Sequence, residues 1–510
     1  MADAVFPSNA NIAAGFDNMA IQLFGNRLFA DQALYEYINE FLLVFVSPKS
    51  FDYESGKMSF HTSLGDELAY YVKPRMGLKR FIFYERSKKG IKIPVDEKAY
   101  LDMINVINEK IGDSSTDSNK IYKSVESIQD LFYGYATVLK NRSWTAQSLL
   151  PIAPELIFCE AMLNAKERLA MHKKSDIDAT TIEMGFDFSR HNFMARGGEV
   201  YYLHILQALD LCTEIEKRNL QKLLTNLISA NSGCFSSIAN WVDETWIKSQ
   251  DINPDKLWIK KGLGFIPATG YIECGRNTIL ELITFLSNEM HPITRIEILS
   301  KGIVFQIMRM MCTRTSEYLE MNPTPWIIDM RAKKSSGTVM KISADSYRRI
   351  EELFVYAVNK QSAEYINRAL PEQKVQSPFE YLSKAKKHTL NLFKRLGKEM
   401  QCIIPLKGGY ERFSLSEDLL KFLVLSLIRP QEKMTFDMFL DKLYRHFNIV
   451  IGPKQYKECV SGAGLDVVQA NAFRNNELEF QDFLKATGFV RDLSDATAIV
   501  VNPYAEVENS

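Results

Sequence analysis

The chain is 510 residues long, with 46% hydrophobic and 24% charged residues. That balance excludes a disordered chain and is enough for several domains with cores of their own. Lys+Arg and Asp+Glu are both 62, so the formal net charge is zero, which excludes a surface that grips nucleic acid everywhere and leaves that work to local patches.

The seven cysteines are scattered, with no C-x-x-C pair. This argues against a disulfide framework or a zinc knuckle and for a reducing compartment. The start has no basic segment followed by an apolar run, and the longest apolar runs are too short for a bilayer. A cytoplasmic protein without membrane contact is expected.

Residues 1–115 read as a mixed α/β domain. A helix from Asp31 to about Val46 carries Leu34, Ile38, Phe41, Leu42 and Phe45 as its buried stripe, and Ser47-Pro48 stops it. Leu68–Val72 and Arg80–Tyr84 are β-like in composition, and Asp96 opens a helix. The polar run 112–120 is a linker. Residues 121–257 read as a helical domain, with an element at Leu149–Leu163 interrupted by Pro151 and Pro154, and an apolar helix at Val200–Leu211. His204, inside that helix, reads as a hydrogen-bonded core residue rather than a metal ligand.

Residues 258–275 are rich in Gly and Pro but lack the Lys and Ser/Thr of a phosphate loop and the third Gly of a dinucleotide fingerprint, so they read as an ordinary loop. Residues 276–400 form a second helical domain with a basic loop at 331–342. Pro292 suits a first helical turn, and the run Ile303–Met311 is apolar nearly all round and should be buried.

The last stretch, 414–503, is the most informative. Ser414-Leu-Ser-Glu417 reads as a capping box opening a helix with Leu419, Phe422 and Leu423 on one face. Thr435 opens a second helix, Ile449–Ile451 is a short strand, and Leu478, Phe480, Phe483 and Leu484 mark a further helix ended by Gly488. Phe489–Arg491 and Thr497–Val501 read as strands around a wing at 493–496. The fold class is therefore mainly α with small β elements: a mixed α/β N-terminal part, a helical middle and a C-terminal winged helix.

Candidate sites are few. Arg190, His191 and Arg196 lie in a polar cluster, 187–199, that runs into Gly197-Gly198. Arg forks and a helix start both suit phosphate; the same residues also suit a polar loop that fixes helix packing. Arg331, Lys333, Lys334, Lys341, Arg348 and Arg349 form one basic patch, and Lys386, Lys387, Lys394 and Arg395 belong to another at 384–398. Lys454 and Lys457 mark a short basic helix, whereas the helix before the wing carries Glu477, Glu479 and Asp482 against Lys485. Carboxylates repel phosphates, so that helix favours docking a protein over reading DNA. No catalytic set, metal-ligand spacing or cofactor motif is present, and no cofactor is expected.

The run Leu419–Pro453, with Gly488–Pro503, resembles the tails of large uncharacterised proteins encoded in bacterial anti-phage gene clusters. It covers less than a fifth of the chain and transfers no catalytic residue. Such clusters pair these subunits with ATPases, methyltransferases or nucleases. The resemblance implies a non-catalytic scaffold or adaptor subunit of a multiprotein, nucleic-acid-linked complex in prokaryotic antiviral defence. Its expected partners are proteins, an ATPase among them, with DNA as a further candidate. Two alternatives stay open: a divergent metal-dependent nuclease using the 187–199 cluster, and a winged-helix transcription regulator.

Overall fold

A computed structural model describes residues 5–8, 19–25, 28, 32–50, 58–62, 68–87, 94–112, 117–139, 142–163, 186–187, 196–230, 232–268, 270–330, 337–368, 377–460, 467–494 and 497–507. The chain is mainly helical with small sheets. Its elements begin with β1 (Val5–Phe6), α1 (Met19–Phe24), α2 (Leu34–Val46), β2 (Ala69–Val72), α3 (Met76–Phe83), α4 (Pro94–Ile111), α5 (Ser118–Tyr133), β3 (Ala136–Val138), β4 (Ser148–Leu149), β5 (Met162–Leu163) and β6 (Phe186–Asp187). There follow α6 (Gly197–Ala208), α7 (Glu214–Ser229), α8 (Ser232–Ser249), β7 (Ile259–Gly262), β8 (Ile266–Pro267), α9 (Ile272–Leu286), α10 (Pro292–Tyr318), β9 (Trp326–Ile327), α11 (Gly337–Arg368), α12 (Pro378–His388) and α13 (Leu390–Glu399). The chain closes with β10 (Ile403–Ile404), β11 (Arg412–Phe413), α14 (Glu417–Leu427), β12 (Lys433–Thr435), α15 (Phe436–Phe447), β13 (Ile449–Val450), α16 (Pro453–Cys459), α17 (Val467–Ala486), β14 (Val490–Ser494) and β15 (Thr497–Val501). Among the described residues no helix is long and apolar enough to cross a membrane. All seven cysteines are free.

Two compact units result. The first comprises Met1–Ala30, Leu203–Leu223 and Gly264–Ser510; the second comprises Asp31–Tyr202 and Leu224–Leu263. The polar run 112–120 thus lies inside the second unit, and residues 414–503 lie inside the first.

In the second unit, α2 buries most of the expected stripe: Ile38, Phe41, Leu42 and Phe45 are fully buried, while Leu34, its first residue, is half-buried. β2 pairs antiparallel with β7, from Ala69 opposite Gly262 to Val72 opposite Ile259, within what reads as a loop in the sequence. Arg80–Tyr84, β-like in composition, belongs instead to the helix α3 and its C-cap. The reason is burial on every side. Leu78, Phe81 and Ile82 face the core, while the Arg80 guanidinium lies between the rings of Trp144 (5.0 Å) and Trp246 (4.5 Å) and pairs with Asp96 at 3.1 Å. Residues 149–163 hold short strands and a 3₁₀ turn at Pro154–Leu156, since a proline removes a helix hydrogen bond and clashes with the preceding turn.

In the first unit, α10 runs through the core. Pro292 occupies its first turn, and Ile303 to Met308, Met310 and Met311 are buried. His204 is 5% exposed and edge-on to Tyr271 at 5.0 Å, but among the described residues neither ring nitrogen has a hydrogen-bond partner; this core histidine packs on Tyr271 without the expected hydrogen bonds there.

The C-terminal elements are built into this unit. α14 starts at Glu417 with Ser416 as its N-cap and no side-chain cap bond, so the expected capping box from Ser414 does not form. Packing sets the start instead: Leu419, Phe422 and Leu423 are buried. The Ser414 amide is turned away, donating to the Cys402 carbonyl at 3.0 Å. Thr435 does cap α15, its hydroxyl accepting from the Met438 amide at 3.3 Å. β12, unread in the sequence, completes an antiparallel sheet ordered β12-β15-β14. β13 pairs parallel with β9 outside that sheet. The fully buried Asn476 of α17 donates to the carbonyls of Ile328 (2.9 Å) and Ile451 (3.0 Å) and accepts from the Met330 amide (2.8 Å).

α14 reaches α10 through one contact without slack. A Cβ on Gly302 would lie 2.3 Å from the Phe422 ring. Gly302→Ala is expected to lower stability by about 1–3 kcal/mol in urea unfolding, despite the better helix propensity of Ala. Much of that loss should vanish in a Phe422→Leu background, because the two sites couple directly. An unchanged midpoint for Gly302→Ala would refute the contact.

Candidate functional site

The 187–199 cluster resolves, where it is described, into a helix start closed by the chain itself. Arg190 and His191 lie outside the described residues. Asp187 ends β6, which pairs antiparallel with β5. The Glu40 carboxylate of α2 accepts from the backbone amides of Arg196 (2.8 Å), Gly198 (2.8 Å) and Glu199 (3.4 Å). These are N–H groups that a helix start leaves unpaired. A phosphate bound there would have to displace Glu40. The Arg196 guanidinium is likewise engaged, 3.1 Å from the Glu199 carboxylate.

Gly198 makes the arrangement possible. A Cβ there would sit 2.3 Å from the Tyr37 carbonyl oxygen and 2.5 Å from the Phe41 nitrogen, so only glycine lets α6 approach the α2 backbone this closely. Burial, with the Glu199 charge beside it, pushes the Glu40 carboxyl up to about 8.

The basic candidates disperse. Arg331, Lys333 and Lys334 lie outside the described residues. Arg348 pairs with Asp345 at 2.7 Å, Lys394 with Glu411 at 2.6 Å, Arg395 with Glu399 at 3.0 Å and Lys454 with Asp441 at 2.5 Å. Lys341 and Arg349 on α11, Lys386 and Lys387 on α12, and Lys457 on α16 are exposed. Arg349 lies near enough to α16 to lower the Tyr456 hydroxyl and the Cys459 thiol against the upward push of burial.

α17 presents a different surface from the acidic one its composition suggests. Glu477 and Glu479 are half-buried, and burial next to Asp437 raises the Glu477 carboxyl. Facing out are Arg474, Leu478, Asp482 and Lys485, at helical spacing, with Leu478 53% exposed. On α15, Met438 is 60% exposed. An exposed apolar side chain with charges of both signs beside it suits a protein partner more than a phosphate backbone. Among the described residues no group of three or more His, Cys, Asp or Glu side chains is placed to hold a metal ion.

No family model matches this chain, and no curated protein or solved structure matches it significantly.

The Glu40 clamp has a pH signature. Its folded value, about 8, lies above the 4.5 of the unfolded chain. Its contribution to stability is therefore full below pH 4.5, declines as pH rises, and is lost once pH passes about 8. Urea midpoints across that window should fall more steeply for the natural chain than for Glu40→Gln, which cannot ionise. Parallel curves would show that Glu40 is already ionised when folded.

Proposed function

We propose that residues 414–503 form a winged helix and that the chain is a non-catalytic adaptor of a multiprotein, nucleic-acid-linked assembly, docking a protein through α17. The observation that carries the fold reading is the succession α14, β12, α15, β13, α16, α17, β14, β15, with β13 pairing elsewhere and the strand order β12-β15-β14. The first strand lies at one edge, and the final hairpin fills the rest of the sheet. The docking reading rests on the exposed Leu478 and the mixed charges of Arg474, Asp482 and Lys485 on the same helix. The setting, prokaryotic antiviral defence, comes from the C-terminal resemblance and travels with this proposal.

Tagged full-length chain, purified from its host, is expected to bring down one partner in fixed ratio. Leu478→Asp with Met438→Asp should release it while leaving the thermal midpoint unchanged, since both side chains are exposed. DNA incubated with the chain and Mg²⁺ or Mn²⁺ should remain uncut. Cleavage would favour the nuclease instead. A sequence-specific footprint weakened by Lys457→Ala would favour the transcription regulator.

A further inference from the structure

A cleft of about 430 Å³ opens in the first unit between α9, α10, the segment leading into β9 and the last turn of α15. Its volume falls within the range of small-molecule sites, and the adaptor reading makes no use of it.

Its cationic wall is fixed from behind. Glu281 of α9 is 2% exposed. Its carboxylate lies 2.5 Å from His446 Nε2 and accepts from the Gln306 side-chain amide. Arg309 stands 3.4 Å from the same carboxylate. It also donates to Gln306 Oε1 and to the His446 carbonyl, each at 2.8 Å, and its guanidinium lies over the Phe447 ring at 4.6 Å. A guanidinium has five N–H donors. The three bonds to Glu281, Gln306 and His446 leave two, on a group whose orientation is set before any ligand arrives.

The charges in front do not balance. Arg309, Arg445 and His446 line the cleft, and among the described lining residues none is acidic. Glu281 is one carboxylate set behind two of these groups, while Arg445 stands exposed at the rim. The floor is aromatic: Trp326 and Phe447 are nearly buried there, and the Trp326 amide bonds to the Asn448 carbonyl at 2.8 Å, tying β9 to the end of α15. The two thiols in the wall do not supply a nucleophile. Burial raises both Cys274 and Cys312, the latter to about 12, so they stay protonated near neutral pH.

We propose that this cleft binds a small organic anion with a flat unsaturated body, its carboxylate or phosphate held by Arg309 and Arg445 and its body against Trp326 and the half-buried Tyr444, which also lines the cleft. Binding would join α15 to α9 and α10. A ligand that recognises only the folded chain raises its melting temperature.

Three probes of one shape separate the sources of affinity: phenyl phosphate, benzoate and the neutral benzamide, each titrated calorimetrically into the full chain. At least one anion should bind, with a dissociation constant under roughly 10 mM, and benzamide should bind about tenfold more weakly or not at all. Which anion binds better tells a phosphate ligand from a carboxylate. Arg445→Ala should weaken the better anion severalfold. Thr313→Trp, which fills the cleft, should abolish binding without altering far-UV circular dichroism. Benzamide binding as well as both anions, no binding by either anion, or full binding by Arg445→Ala would each overturn the proposal. If Thr313→Trp fails to fold, Arg445→Ala decides alone, because its side chain is exposed.

Discussion

The close approach of α14 to α10 is the constraint on which the first unit depends. Gly302 removes a side chain where the Phe422 ring must lie, and Phe285 of α9 meets the same ring at 5.5 Å. One turn further along, α10 turns Phe305 toward Trp326 (5.6 Å) and Phe447 (5.4 Å). The face that seats α14 thus continues into the face that seats β9 and the end of α15. The C-terminal elements therefore share a core with the helices before them. Asn502 reinforces this, donating to the Ile428 carbonyl and the Asn288 side chain at 2.7 Å each. α17 joins these elements through Asn476, which donates to the Ile328 and Ile451 carbonyls.

What could be read in advance follows from how locally each feature is encoded. Long helices with periodic apolar faces, such as α2 and α10, announce themselves because the whole signal lies within two or three turns. β12 does not. Lys433-Met-Thr is three residues long and mostly exposed, and only its pairing with β15 makes it a strand. Arg80–Tyr84 misleads for the opposite reason: aromatic and β-branched residues fit a strand, but here two tryptophans and Asp96 surround the segment from distant parts of the chain. The polar sites are less legible still. Glu40 reaches Arg196 across 156 residues, and Glu281 reaches His446 across 165. No spacing rule connects residues that far apart.

The two polar sites answer the same electrostatic problem in opposite ways. At the start of α6, unpaired amides need an acceptor, and the fold supplies the carboxyl oxygens of Glu40. The price is a buried carboxyl beside a second acid, and its proton affinity rises accordingly. A helix start satisfied from within has little left to offer a ligand at Arg196, Gly198 and Glu199. Many of the surface cations are settled similarly, by Asp345, Glu411, Glu399 and Asp441.

The cleft in the first unit is not settled in that way. Its carboxylate stands behind Arg309 and His446 and orients them, and two of the five Arg309 N–H donors are left over. Orientation without full neutralisation suits recognition, since the side-chain ordering is complete before the ligand arrives. The two thiols in this wall are held protonated by burial and supply no nucleophile near neutral pH. The proposed adaptor role and the proposed anion site share one mode of action, since each would hold another molecule by side chains already in place. α10 forms one wall of the cleft and, at Gly302, seats the Phe422 ring of α14.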